Sequence, residues 1–170
     1  IWQRATTYSG VGVGSVTNAN GYNAADRWLV QAYPGTTGSG TTNFSISQQA
    51  FTVGQTAVPS EPAYFCRFGA SAVGTQGGTG SMIRAVQRVE GVRTFAGQTC
   101  TLSFWAKADA SKNIAVEFIQ IFGTGGSPSA DIVGIGVTTF SLTSSWKKFS
   151  ISVFKTDRSP FCKYSIFNCP

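Results

Sequence analysis

Apolar and polar residues alternate with a period of two along most of the chain, and a helical period is scarce. The clearest case runs from Thr99 to Lys107. Leu102, Phe104 and Ala106 share one side, while Thr101, Ser103, Trp105 and Lys107 share the other. From Asn113 to Phe122 the pattern sets Ile114, Val116 and Phe118 against Ala115, Glu117 and Ile119. From Lys147 to Phe154 it sets Phe149, Ile151 and Val153 inward, against Lys148, Ser150 and Ser152. Each segment reads as a half-buried strand with one face on a core. Less regular strands are expected over 27–33, 43–51, 63–68, 82–89, 130–137 and 164–167. Within 130–137, Ile132, Gly134 and Gly136 alternate with Val133, Ile135 and Val137.

Turn-rich pieces separate these runs, at 34–40, 54–62, 74–80, 108–112 and 123–129. Eight or nine strands at this spacing predict an all-β fold, a two-sheet antiparallel β-sandwich with jelly-roll topology. Only 89–95 has room for a helical turn, and Gly91 weakens it. No repeat of solenoid length is present. With 170 residues there is material for one well-buried core, so residues 1–170 read as a single domain.

Composition sharpens this picture. Hydrophobic residues make up 42% and charged residues 12%, the reverse of a disordered chain. Twenty glycines fit many short strands joined by tight turns. The net charge is +6, but the basic residues are scattered. The densest groups are Arg84, Arg88 and Arg93, then Lys147 and Lys148, and none forms a block that would mark a nucleic-acid stripe. No apolar run is long enough to span a membrane as a helix, and no secretory signal pattern is visible at Ile1. The chain opens without Met, as a fragment or processed product does.

The chain contains no histidine, which excludes Ser-His-Asp and Cys-His nucleophilic sites and His-ligated metals. Seven acids remain for paired-carboxylate hydrolysis, and they sit mostly in turns. Glu117 is the one placed mid-strand. The glycine-rich runs 10–14 and 123–126 lack the GxxxxGK[ST] order and do not open a helix, so neither is a phosphate loop. Catalysis is not expected. The four cysteines form no CxxC pair. Cys66 and Cys100 fit small core residues or a cross-strand disulfide, and Cys162 and Cys169 fit either separate roles or a bridge across a C-terminal hairpin.

The aromatics carry more information. Sugars stack their apolar C–H faces on such rings while amides and carboxylates fix the hydroxyls. Trp105 lies on the polar side of its strand, with Glu117 or Gln120 expected nearby on the next strand. Trp105, Tyr64, Glu117 and Gln120 are therefore the candidate glycan-binding residues. The competing reading is that Trp105 packs under a loop or against another subunit. Trp28 and Trp146 read as core or corner residues.

Three stretches together resemble a known family. They are Ile1-Trp2-Gln3-Arg4 with Tyr22 to Trp28; Gln87 to Gln98 running into Thr101 to Lys107; and Phe122 to Ser129 with Ser144 to Phe149. In combination they resemble the jelly-roll domains of phage tail fibres, head fibres and capsid-decoration proteins. SFWAKA followed by WKKF is also similar to carbohydrate-binding modules of the galactose-binding-like fold. The resemblance covers about residues 1–154 and departs from the pattern at the Phe- and Cys-rich C-terminal segment 155–170. It implies a non-catalytic virion protein that forms homo-oligomers (trimers favoured), contacts other virion proteins and takes host-surface glycan. No nucleic acid and no membrane insertion are expected. The alternative it implies is an extracellular carbohydrate-binding module of a secreted polysaccharide-degrading enzyme. That module would be monomeric and could carry a structural calcium ion on loop oxygens.

Overall fold

The computed structural model describes residues 7–13, 16–17, 28–34, 41–73, 81–89, 95, 97–123, 125–154 and 162–169, with side chains given for 28–29, 45–69, 84–89, 95, 97–123 and 125–153. Among them there is no helix. The described strands are β1 (Thr7–Val13), β2 (Val16–Thr17), β3 (Trp28–Pro34), β4 (Thr41–Ala50), β5 (Tyr64–Val73), β6 (Ser81–Val89), β7 (Thr99–Ala106), β8 (Lys112–Gln120), β9 (Ile132–Leu142), β10 (Lys147–Phe154) and β11 (Cys162–Cys169). The all-β expectation holds. The glycine run at 10–14, set aside as a phosphate loop, enters a strand: Gly10 and Gly12 lie within β1 and pair with Phe44 and Thr42. The segment 90–94, where a helical turn had room, lies outside the described residues.

The chain divides into two compact units, residues 1–86 with 168–170, and residues 87–167. In the first, β2, β1, β4 and β5 form a sheet in that order, and β3 lies beside β6. The β4–β5 hairpin is in register from Thr41↔Val73 to Ala50↔Tyr64. Its long connection is closed by the Phe51 N–H donating to the Ala63 carbonyl at 3.0 Å and by the Phe51–Phe65 ring contact at 4.9 Å. Within that loop the Gln55 side chain both accepts from the Val58 N–H and donates to its carbonyl, which lets Val58 be buried. Among the described residues, Leu29, Ile46, Ala85 and Val86 are buried here as well.

The second unit is organised as one long antiparallel ribbon. Its inner half is β8 with β9, in register from Lys112↔Leu142 toward Gln120↔Ile132. Its outer half is β7 with β10, in register from Lys147↔Ala106 to Phe154↔Thr99. The halves belong to different sheets, β10-β7 on one side and β11-β8-β9 on the other. Both strands of the ribbon therefore change sheet at the same place, through 107–111 and 143–146. The Ala108 N–H donates to the Thr143 carbonyl at 2.8 Å and keeps the ribbon closed through this corner.

The corner lets Phe104 of β7 and Phe149 of β10, which are ladder partners, meet Phe140 of β9. The three ring centroids lie 5.1–5.9 Å apart. Such pairs add about 0.5–1.5 kcal/mol each beyond the area they bury. Ile114, Val116, Phe118, Ile119, Phe122, Leu142 and Ile151 are buried with them, Val116 fully enclosed. The inward rows expected from alternation, Leu102/Phe104 and Phe149/Ile151, do face this core.

Two expectations need correction. Strict alternation put Ile119 outward and one row of 132–137 inward. Instead β8 and β9 lose register between Val116 and Phe118 and again between Phe118 and Gln120, so Ile119 and Gln120 are both buried. On β9, Gly134 and Gly136 adopt φ of 73° and 63°, and Ile132, Val133 and Val137 are left exposed. Bulges re-aim side chains, which period-two counting cannot anticipate. The second correction concerns cysteine. Cys162 and Cys169 stand at opposite ends of the single strand β11, about 23 Å apart at the usual rise. A disulfide spans less than about 7 Å between Cα atoms, so these two do not bridge a hairpin. Cys66 and Cys100 form no disulfide. Burial pushes the Cys66 thiol up to about 12.

Candidate functional site

The outward face of the β7/β10 pair is the chemically distinctive surface. Alternation along β7 sends Thr101, Ser103 and Trp105 to the side opposite the core, and along β10 it sends Lys148, Ser150 and Ser152 there. The register sets them in pairs: Thr101 with Ser152, Ser103 with Ser150, Trp105 with Lys148. Thr101 Oγ1 and Ser152 Oγ are hydrogen-bonded at 2.8 Å across the ladder. One step beyond the last ladder pair, the Lys107 ammonium lies 5.4 Å from the centre of the Trp146 ring. Two tryptophans and two lysines thus alternate as a tile: Trp105 opposite Lys148, Lys107 over Trp146. Both indoles are half-exposed and both lysines exposed.

A row of four hydroxyls leads away from this tile, so the face runs from aromatic and cationic to neutral and hydroxylated over about 20 Å. Nearby, Lys147 reaches over the Phe149 ring at 5.7 Å. Lys112 forms an ion pair with Asp109 at 2.6 Å. The hydrogen bond from Lys112 and its charge hold the Asp109 carboxyl below the usual carboxylate range.

Trp105 is the candidate residue that anchors this face. Its expected neighbours are elsewhere, because β8 is laddered to β9 and not to β7. Glu117 accepts a hydrogen bond from the Gly134 N–H at 3.0 Å, where its carboxylate steadies the bulge of β9. Gln120 is buried at 4% exposure. Tyr64 opens β5 in the first unit and is 57% exposed. Lys107, Trp146 and Lys148 were not singled out as ligands from the sequence. The available signal was the W-x-K spacing of Trp105 and Lys107 set against W-K-K at 146–148, which acquires meaning only once β7 and β10 are paired.

A shallow groove of about 360 Å³ lies at the other end of β7, lined by Gln87, Val89, Gln98, Cys100, Leu102 and Phe118, among others. It contains no charged group, and nothing in it pairs a nucleophile with a base. Among the described residues no three of His, Cys, Asp and Glu gather in a way that could hold a metal ion. Neither a protein-family model nor a curated protein matches the chain.

Proposed function

We propose that this chain is a non-catalytic structural protein of a phage virion, a tail-fibre, head-fibre or capsid-decoration domain. In this reading it has a jelly-roll sandwich frame and attaches to host-surface glycan through the outer face of β7/β10. The observation that carries the frame is the ribbon that changes sheet with both strands at once, at 107–111 and 143–146. A jelly roll is made by folding such a ribbon over itself. The frame then holds its connections at the ends, where they can vary without disturbing the core.

The half-exposed Trp105 beside a strip of paired hydroxyls supports glycan attachment, since a ring supplies stacking and hydroxyls supply lateral hydrogen bonds. The exposed Ile132, Val133 and Val137 on β9 support lateral contacts with other virion subunits. The same Trp105 strip favours a second reading, a carbohydrate-binding module of a secreted polysaccharide-degrading enzyme.

Size-exclusion chromatography with light scattering, run beside affinity electrophoresis in polysaccharide gels, separates the two. A stable trimer retarded by a glycan, with retardation lost in Trp105→Ala, is the expected result. A monomer retarded by glycan supports the module. A monomer indifferent to every glycan overturns both.

A further inference from the structure

We infer that the glycan taken by the β7/β10 face is acidic, a polysaccharide bearing carboxylate, sulfate or phosphate groups. The inference rests on the glycan-attachment reading and specifies its ligand class. Its basis is the distribution of charge. Segments 103–112 and 143–150, which form the tile and its corner, contain four lysines (107, 112, 147, 148) and one acid, Asp109. Four positive charges less one negative is +3, half of the chain's net +6, held in 18 of 170 residues. The one acid is already engaged by Lys112. That leaves Lys107, Lys147 and Lys148, all exposed; Lys107 and Lys148 flank the two indoles, and Lys147 reaches over Phe149 beside them.

Lysine over an aromatic ring is held in place while its ammonium still presents donors to an incoming anion. On this tile each ring has a cation on the opposite strand, Trp105↔Lys148 and Trp146 beneath Lys107. A sugar ring stacked on Trp105 therefore has an ammonium within reach of any acidic substituent it carries. A neutral sugar would gain the stacking and leave the lysines without partners. The face is flat and opens onto hydroxyls, with lysine in place of arginine. Planar bidentate recognition of phosphodiesters usually falls to arginine, so the arrangement favours a polysaccharide over a nucleic acid.

The test uses the full chain on immobilised heparin (sulfated), polygalacturonate (carboxylated), dextran (neutral) and oligo-dT, in a sodium chloride series. Binding to heparin and polygalacturonate that weakens steadily with salt is expected, with dextran at least tenfold weaker. Lys107→Gln/Lys148→Gln should weaken acidic-polysaccharide binding about tenfold or more. Arg67→Gln/Arg88→Gln removes the same charge elsewhere and should leave it unchanged. Equal loss in both variants reduces the effect to net charge and overturns the inference. Dextran binding that needs Trp105 but ignores Lys107 and Lys148 overturns the acidic ligand while leaving glycan attachment standing. Tighter binding to oligo-dT overturns it in favour of nucleic acid. No binding to any polysaccharide overturns both readings.

Discussion

Replacing Gly136 with alanine should be among the most damaging single-methyl changes in the chain, and Gly134 supplies its internal control. Both glycines lie on β9 with positive φ, 63° and 73°. An L-residue in that region costs about 1–2 kcal/mol, partly offset by the roughly 0.4–1 kcal/mol that alanine gains by restricting the unfolded chain. A Cβ on Gly134 meets only Val137 Cγ2, at an ordinary 3.6 Å, so Gly134→Ala should cost about 1 kcal/mol. A Cβ on Gly136 falls inside the van der Waals envelope of Val153 Cγ1 on β10, with Ile151 Cδ1 behind at 3.8 Å. Valine is stiff at χ1 and cannot swing away cheaply. Forcing a carbon into such a contact typically adds about 1–3 kcal/mol, giving about 2–4 kcal/mol for Gly136→Ala. In urea, with a slope of about 2 kcal/mol/M, the midpoint should fall by about 1–2 M, against about 0.5 M for Gly134→Ala. Adding Val153→Ala to Gly136→Ala should recover part of the loss, a favourable coupling in the double-mutant cycle. Equal midpoints for the two glycine variants, at unchanged slope, would refute the close approach of β9 to β10.

Val116→Ala, at the fully enclosed centre of β8, should lose about 1–3 kcal/mol by the same urea assay, whereas Val133→Ala on the exposed part of β9 should stay within about 0.5 kcal/mol. The Cys66 thiol, pushed up to about 12 by burial, should resist a disulfide reagent at pH 8 until the protein unfolds. Because its folded pKa lies above the reference 9.0, its contribution to stability is complete below about pH 9 and is lost as pH rises toward 12; Cys66→Ser should flatten that alkaline decline in pH-dependent melting. Asp109, held low by Lys112, acts in the opposite sense. Its contribution is present above the ordinary carboxylate range and disappears as pH falls through its depressed pKa, so Asp109→Asn should remove a small acid-side slope together with the small contribution made at neutral pH.

Period-two alternation located β7 and β10 and their core rows, because on those strands one face meets water and the other meets Phe140 and its neighbours; on β8 it found the Ile114/Val116/Phe118 row but not the burial of Ile119 opposite it. It failed on β9, where two positive-φ glycines and two register shifts break the phase, and on β1, whose alternating glycines carry no apolar signature. Trp105 could be placed on a polar face from its strand alone. Its companions could not, since Lys107, Trp146 and Lys148 gather through a pairing of β7 with β10 that skips the two strands between them. Glu117 was legible as a mid-strand acid, while its attachment to the Gly134 N–H depends on a bulge that local sequence does not announce.

The ribbon of the second unit is nested, and nesting imposes an order on its assembly. The 121–131 tip, where the Phe122 N–H donates to Asp131 Oδ1 at 3.1 Å, closes the smallest circuit, and each rung outward shortens the circuit still open for the next. Extra residues spliced into that tip lengthen only this first circuit, a penalty growing with the logarithm of its length. A single residue spliced into 107–111 or 143–146 would instead displace one rail against the other, turning that rail's own phenylalanine, Phe104 or Phe149, toward water and its hydroxyls inward. Variation in length should therefore accumulate at the tip and be purged from the corners, and a peptide tag inserted beside Gly125 should be carried by a fully folded protein.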